Sequence, residues 1–180
     1  MASLDIRTDE RGRPCLAAPD TVDFNSSRSG NFALIGTARN CRIGIDIEQV
    51  QPDFPCMELA KSFFSRNENT SLDALPAQRR ADGFFQAWVS KEACVKAWGM
   101  GLSLPLDSFD VCADPAAPAA LLADRSDGPP LWLYRLEAPG GYVAVLAADR
   151  PLASLRLHTT RHSRLHQTAP DVARPTVQEI

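Results

Sequence analysis

Apolar and polar positions along this chain fall into blocks with two different periods. Phe84, Phe85, Trp88, Val89, Val95 and Trp98 recur at helical spacing and predict one helix with a wide apolar face. Gly99 and Gly101 give it a hard stop, because glycine enters the left-handed conformation without steric cost. Arg42 to Glu48 alternates instead. Ile43, Ile45 and Ile47 fall on one side and Gly44, Asp46 and Glu48 on the other, which predicts a strand. Further strands are expected at Val22 to Phe24, at the apolar run Asn31 to Ala38 (read as buried), and at Leu106 to Val111. Leu131 to Glu137 and Tyr142 to Ala148 are expected to form a hairpin across Pro139-Gly140-Gly141. Pro52 to Phe64 has a helical pattern. Ser65-Arg66-Asn67-Glu68 then has the form of a capping box opening the next helix, and capping is the preferred role for Glu68. Polar connections are expected at Asn25 to Gly30, Asn40-Cys41, Ser71 to Gly83 and Asp114 to Gly128, with a turn at Gly12-Arg13-Pro14. The predicted class is α+β, with short, mostly antiparallel strands packed against the helix at Phe84 to Trp98.

Composition narrows the function. The 180 residues suit one domain, or two small lobes sharing a core, and 44% hydrophobic content is ample to build it. A net charge of −3 argues against a nucleic-acid binder driven by phosphate neutralisation. No apolar run approaches the roughly 20 residues that cross a bilayer, so no membrane association is expected. The polar N-terminus shows no secretory h-region. The five cysteines are widely spaced, with no CxxC pair and no zinc-ligand spacing. A cytoplasmic protein with thiols used as small core residues is the expectation.

Charged residues inside the apolar blocks carry the candidate chemistry. Lys91, Glu92 and Lys96 sit on the main helix. Glu92 and Lys96 are four apart and share a face, either as a surface ion pair or as two groups aimed at one ligand. Asp46 and Glu48 are neighbours on one strand face. They are either solvated or drawn together by a cation, and Mg2+ suits them because it takes oxygen ligands and keeps positions open for phosphate and water. Asn25 to Gly30, with its hydroxyls and Arg28, is either a plain turn or a set of anion donors. The tail holds His158, His162 and His166, each four apart, but its basic and Pro-interrupted composition reads as a poorly ordered end. Taken together, three carboxylates and two lysines suit Mg2+-assisted chemistry at a phosphate ester or pyrophosphate.

These residues stand in an order that resembles the 4′-phosphopantetheinyl transferases of the Sfp type. The resemblance is carried by Gly44-Ile45-Asp46-Ile47-Glu48, by Phe63-Phe64-Ser65 with Glu68, and most specifically by Trp88-Val89-Ser90-Lys91-Glu92-Ala93 with Lys96 and Gly99-Met100-Gly101-Leu102. Gly12-Arg13-Pro14 resembles the family's Gly-Lys-Pro loop, and Phe24 to Gly30 its FN-x-SHSG loop. The likeness runs from about Gly12 to Ala148.

It implies a phosphopantetheinyl transferase-like fold and transfer of the phosphopantetheine arm of coenzyme A to a serine of an acyl or peptidyl carrier protein, with release of 3′,5′-ADP. Such carriers serve fatty acid, polyketide or nonribosomal peptide biosynthesis. By resemblance, Asp46, Glu48 and Glu92 hold Mg2+ and Glu92, directly or through water, is the base for the carrier serine. Lys96 steadies charge on the leaving phosphate, and Arg13, Ser27 and Arg28 contact phosphates of coenzyme A.

The sequence departs from the family pattern in two places. Arg28 stands where the family has a histidine; arginine binds phosphate but carries no proton near neutral pH, so the change is read as one within phosphate binding. The chain also starts late. One complete lobe, residues 41–150, is expected, with a partial N-terminal lobe at 1–40 and a disordered tail at 151–180. Basic residues that the family supplies to the adenosine end have no match. An active enzyme is the leading reading. A self-associating enzyme, a truncated one, and a weak or inactive paralogue that binds coenzyme A or a carrier stay open.

Overall fold

The structure, a computed structural model, describes residues 5–17, 22–124 and 128–160. In chain order the strands and helices are β1 (Ile6–Thr8), β2 (Pro14–Leu16), β3 (Val22–Ser29), β4 (Phe32–Arg39), β5 (Ile43–Gln49), α1 (Cys56–Phe63), α2 (Arg66–Ala74), α3 (Arg80–Trp98), β6 (Phe109–Val111), β7 (Leu121–Asp124), β8 (Trp132–Arg135) and β9 (Tyr142–Ala148). The α+β class expected from the sequence holds. The main sheet is antiparallel with order β5-β9-β8, and β1-β2, β3-β4 and β6-β7 form separate two-stranded pairs.

Helix α3 organises the fold. It lies against β5 and β9 on one side and against α1 and α2 on the other. A helix enclosed in this way is buried nearly all round, so Gln86, Ser90 and Lys91 are as inaccessible as Phe84 and Val89. Gly99 ends it at φ 67°, where its amide and that of Met100 both reach back to the Val95 carbonyl. The helix comes unusually close to β5 at Gly44. A Cβ added there would lie 2.1 Å from the Ala93 carbonyl oxygen and 2.4 Å from the Ala97 nitrogen. Only glycine admits that approach.

The sheet buries both faces. Val145 and Ala147 join Phe84, Val89, Val95 and Trp98 on the helix side. Ile43, Ile45 and Ile47 join Ala144, Leu146 and Ala148 on the other, where Leu34 and Ala38 of β4 cover them. The alternation read from Arg42 to Glu48 is thus a division between two core layers.

Several sequence expectations are corrected. Asn25 to Gly30 is not a loop: β3 runs unbroken to Ser29 and pairs with β4 over its whole length. Its polar residues are strand residues because their side chains do the pairing with β5. Asp23 Oδ2 accepts from the Ile43 amide at 2.8 Å, Asn25 Oδ1 from Ile45 at 2.9 Å, Ser27 Oγ from Ile47 at 3.3 Å and Ser29 Oγ from Gln49 at 3.0 Å. Strand β4 is only half buried, with Ile35 72% exposed, since the hairpin leaves its outer face to solvent. The region Ser71 to Gly83 is largely helical, because α2 continues to Ala74 and α3 starts at Arg80. Leu121–Asp124, placed in a surface loop, is instead a strand paired with β6. Leu106–Ser108, read as strand, is a 3-10 turn leading into β6.

The predicted hairpin of β8 and β9, the capping box at Ser65 and the turn at Asn40 (φ 51°) are all present. Residues 151–160 form neither helix nor strand, and the segment is tethered where the Leu152 amide donates to the Tyr134 hydroxyl at 2.9 Å. The remainder of the tail, with His162 and His166, lies outside the described residues. Among the described residues no helix is long and apolar enough to cross a membrane.

Candidate functional site

A cavity of about 670 Å³ opens where the β1-β2 turn, β3, α3 and the segment after α3 meet. One stripe of α3, made of Trp88, Glu92, Val95 and Lys96 and continued by the capping Gly99, forms its long wall. These positions follow the i, i+4 and i+3 steps of a helix, so a single face carries both the apolar and the charged groups. Phe24, Phe63, Leu104, Pro105 and Leu106 extend the apolar lining. Sequence reasoning assigned Trp88 to the core; its four-residue spacing from Glu92 was the signal that it shares the site.

Lys96 and the strand carboxylates meet at the edge of this wall. Lys96 Nζ donates to Asp46 Oδ1 at 2.7 Å and to the Ile45 carbonyl at 3.2 Å. Asp46 also accepts from Ser27 Oγ at 2.7 Å, and Glu48 accepts from Ser29 Oγ at 2.6 Å. Burial raises Asp46 above the ordinary carboxylate value, with Lys96 and Ser27 opposing that shift. Burial also raises Glu48, and the Asp46 charge adds to the effect. Glu92 is raised by burial first and then by Asp46 and Glu48, while Lys96 opposes. The three carboxylates therefore feel one another's charge.

The fit to a cation can be judged from Asp46. Its Oδ2 is buried and accepts no hydrogen bond. A buried carboxylate oxygen without a partner is costly, and a hard cation is a natural completion. As the side chains stand, no three His, Cys, Asp or Glu residues among the described ones are gathered tightly enough to hold an ion. The carboxylates are instead held by Lys96, Ser27 and Ser29. The donor set, three carboxylates with a buried unpartnered oxygen among them, fits Mg2+ in chemistry.

Three other charged candidates lie elsewhere in the arrangement. The Arg13 guanidinium, expected at a phosphate, turns into the protein. It donates to Asp23 Oδ2 at 2.6 Å, to the Ile43 carbonyl at 2.8 Å and to the Lys96 carbonyl, tying the β1-β2 turn to β3, β5 and α3. Arg28 is exposed on β3, on the same side of the strand as Phe24 and Ser26 and opposite Ser27 and Ser29. Lys91, grouped with Lys96 by the sequence, points away. It is fully buried, with its ammonium 2.8 Å from Glu68 Oε1, bonded to the Leu106 and Phe109 carbonyls and 4.3 Å from the centre of the Phe109 ring. Glu68 keeps its capping role, accepting from the Ser65 amide at 3.0 Å, and adds a bond from the Val111 amide at 2.7 Å. Burial lowers Lys91 and raises Glu68, each opposed by the charge of the other.

Known proteins resemble this chain over the same region. The sequence pattern of the 4′-phosphopantetheinyl transferase superfamily matches residues 42–147. The chain is 36% identical over 149 residues to 4′-phosphopantetheinyl transferase Sfp of Bacillus subtilis, a match covering 82% of this chain and 65% of that protein. It is 36% identical over 116 residues to 4′-phosphopantetheinyl transferase HetI of a Nostoc species, covering 63% of this chain and 48% of the relative. Among solved structures, the ACPS–CoA complex of Chronobacterium ammoniagenes aligns with 95% of its chain and 60% of this one, at 20% identity and a TM-score of 0.45. The chain thus spans no more than about two thirds of the two relatives named, and the matched segment contains the sheet, α3 and every acidic residue of the site. By the extent of that match, the chain belongs to the 4′-phosphopantetheinyl transferase superfamily.

Proposed function

We propose that this chain transfers the 4′-phosphopantetheine arm of coenzyme A to a serine of an acyl or peptidyl carrier protein, with Mg2+ as the metal. The observation that carries the reading is Glu92 and Lys96 side by side on a cavity wall, next to Asp46 with a buried, unpartnered oxygen. Asp46, Glu48 and Glu92 would hold Mg2+. When bound, the ion would offset negative charge on the pyrophosphate.

The residues divide the remaining work. Glu92 takes the proton from the carrier serine hydroxyl, directly or through a water. The serine oxygen forms the new bond to phosphorus as the bond to 3′,5′-ADP breaks. Lys96 stays beside Asp46 and offsets charge on the departing phosphate. The apolar lining of Trp88, Phe63 and Leu104 excludes water from the reacting centre. Arg28, exposed on β3, is a phosphate contact; Arg13 supports the site from behind through its bonds to Asp23 and Ile43. Ser27 gives its one proton to Asp46, so it reaches a phosphate only if that bond opens. We take residues 41–150 as the lobe that bears the acidic set and 1–40 as the partial lobe that closes the cavity. A cytoplasmic setting suits Cys41 and Cys56, which pack as buried apolar residues.

The test is incubation with coenzyme A, Mg2+ and an apo carrier protein, followed by mass spectrometry of the carrier. A gain of the arm's mass is expected. No gain with several fatty acid, polyketide and peptide carriers overturns the reading, and calorimetric binding of coenzyme A without transfer assigns the chain to a binding role.

A further inference from the structure

The carboxylates present a problem of their own. Three like charges are held within interaction range, and a single lysine contacts one of them. Repulsion would turn Glu48, half-buried at the end of β5, toward solvent. We propose that Ser29 is a positioning residue that holds Glu48 in place against that repulsion. The inference rests on the reading of Glu48 as a metal ligand given above.

The argument is one of proton direction. Ser29 Oγ accepts the Gln49 amide proton at 3.0 Å. A hydroxyl has one proton to give, and with a backbone N–H aimed at its lone pairs that proton goes to Glu48 Oε2, 2.6 Å away. The residue is held through its backbone and through its hydroxyl. Ser29 pairs with Phe32 in the β3-β4 hairpin, and its oxygen is fixed to β5. It therefore holds the carboxylate at a set place beside β5. The same relay stands two residues earlier, where Ser27 accepts from Ile47 and donates to Asp46. The two serines are spaced as the two carboxylates are, because β3 and β5 advance in step with a constant offset of 20 residues. Ser29 gives the clean test, because the family resemblance also places Ser27 at a phosphate.

The experiment is Mn2+ binding to the full chain by electron paramagnetic resonance, for wild type, Ser29→Ala and Ser29→Thr, each also on a Glu48→Ala background. Thermal unfolding of every variant registers loss of fold. Removing a group that orients a metal ligand weakens binding about 10-fold, so Ser29→Ala is expected to do so, while Ser29→Thr, which keeps the hydroxyl, stays within about threefold. On the Glu48→Ala background Ser29→Ala has no further effect, since nothing remains to position. Wild-type affinity in Ser29→Ala, or an equal loss on both backgrounds, overturns the proposal. If the wild type binds no Mn2+, the metal reading fails separately. The positioning role is then decided on the metal-free protein by NMR couplings of Glu48. A single side-chain rotamer in the wild type that averages in Ser29→Ala supports it, and unchanged couplings overturn it.

Discussion

Lys91 and Lys96 leave the same helix five residues apart and end in opposite situations. Five residues turn a helix by about 140° from face to face, which sends one lysine inward and the other to the cavity. Lys91 is fully buried, and its ammonium is surrounded by Glu68, two carbonyls and two aromatic rings. Glu68 is equally complete, bonded to two backbone amides besides the lysine. Lys96 keeps 27% of its side chain exposed, and its partner Asp46 has an oxygen with no bond at all. The first pair is closed and locks α2, β6 and α3 into one unit. The second is incomplete, and incompleteness is what a ligand needs. Identical residue types on one helix thus serve fold and chemistry, and saturation of the surrounding bonds distinguishes them better than burial does.

The closed pair is the place where a single change does most damage. Lys91→Met leaves the Glu68 carboxylate buried and uncompensated, and a loss of about 3–5 kcal/mol is expected in urea unfolding. The double change Lys91→Met with Glu68→Leu recovers part of that loss, because no charge is then stranded. If Lys91→Met proves as mild as a surface substitution, the pair is not the lock described.

A second change acts on the spacing that brings the open pair together. Gly44→Ala forces α3 away from β5, since the new Cβ would overlap the Ala93 carbonyl. Overpacking of this kind is expected to cost about 3 kcal/mol. Transfer should fall further than stability, because Asp46 and Lys96 come from the two elements being separated.

Lys96 itself should show the reverse of Lys91. Lys96→Met takes the ammonium from the buried Asp46 carboxylate, but Lys96 is itself partly exposed and Ser27 still donates to Asp46, so the stability cost is expected to stay below that of Lys91→Met. Loss of a cation at a developing negative charge should lower transfer about a hundredfold. Equal effects of Lys91→Met and Lys96→Met on unfolding would erase the contrast.

The smallest effect concerns pH. Burial, with Asp46 and Glu48 adding to it, raises Glu92 above its ordinary 4.5, so the folded state binds this proton more tightly than the unfolded chain does. Stability from this group is fully present below the unfolded value and is lost as pH rises through the folded one. Glu92→Gln should therefore melt at a higher temperature than the metal-free wild type at pH 8, with the gap closing as pH falls toward 4.5, while transfer is sharply reduced. A variant less stable than wild type at pH 8 would contradict the assigned strain.

The sequence made the main helix, its glycine stop, the β5 alternation and the capping box legible, because each rests on a local period or a local hydrogen-bond pattern. It failed at β3. Asp, Asn and Ser are turn residues by composition, and Asn25 to Gly30 reads as a loop until β5 is placed beside it. Only then do the alternate side chains become pairing groups. The same limit applies to Arg13 and Lys91, whose charges suggest a ligand but whose partners (Asp23, Ile43, Glu68) are distant in sequence. Helical periodicity put Glu92 and Lys96 on one face; it could not say that Lys96 would contact a strand carboxylate before any ligand arrives.

The side-chain rungs between β3 and β5 also bear on the open edge of this sheet. A strand as rich in isoleucine as β5, ending a sheet, presents a row of backbone donors that invites a strand from another molecule. Here Asp23, Asn25, Ser27 and Ser29 take its outward amides, while Arg13 and Lys96 take the Ile43 and Ile45 carbonyls. The groups that organise the carboxylates thereby also shield the β5 edge from a strand of another molecule.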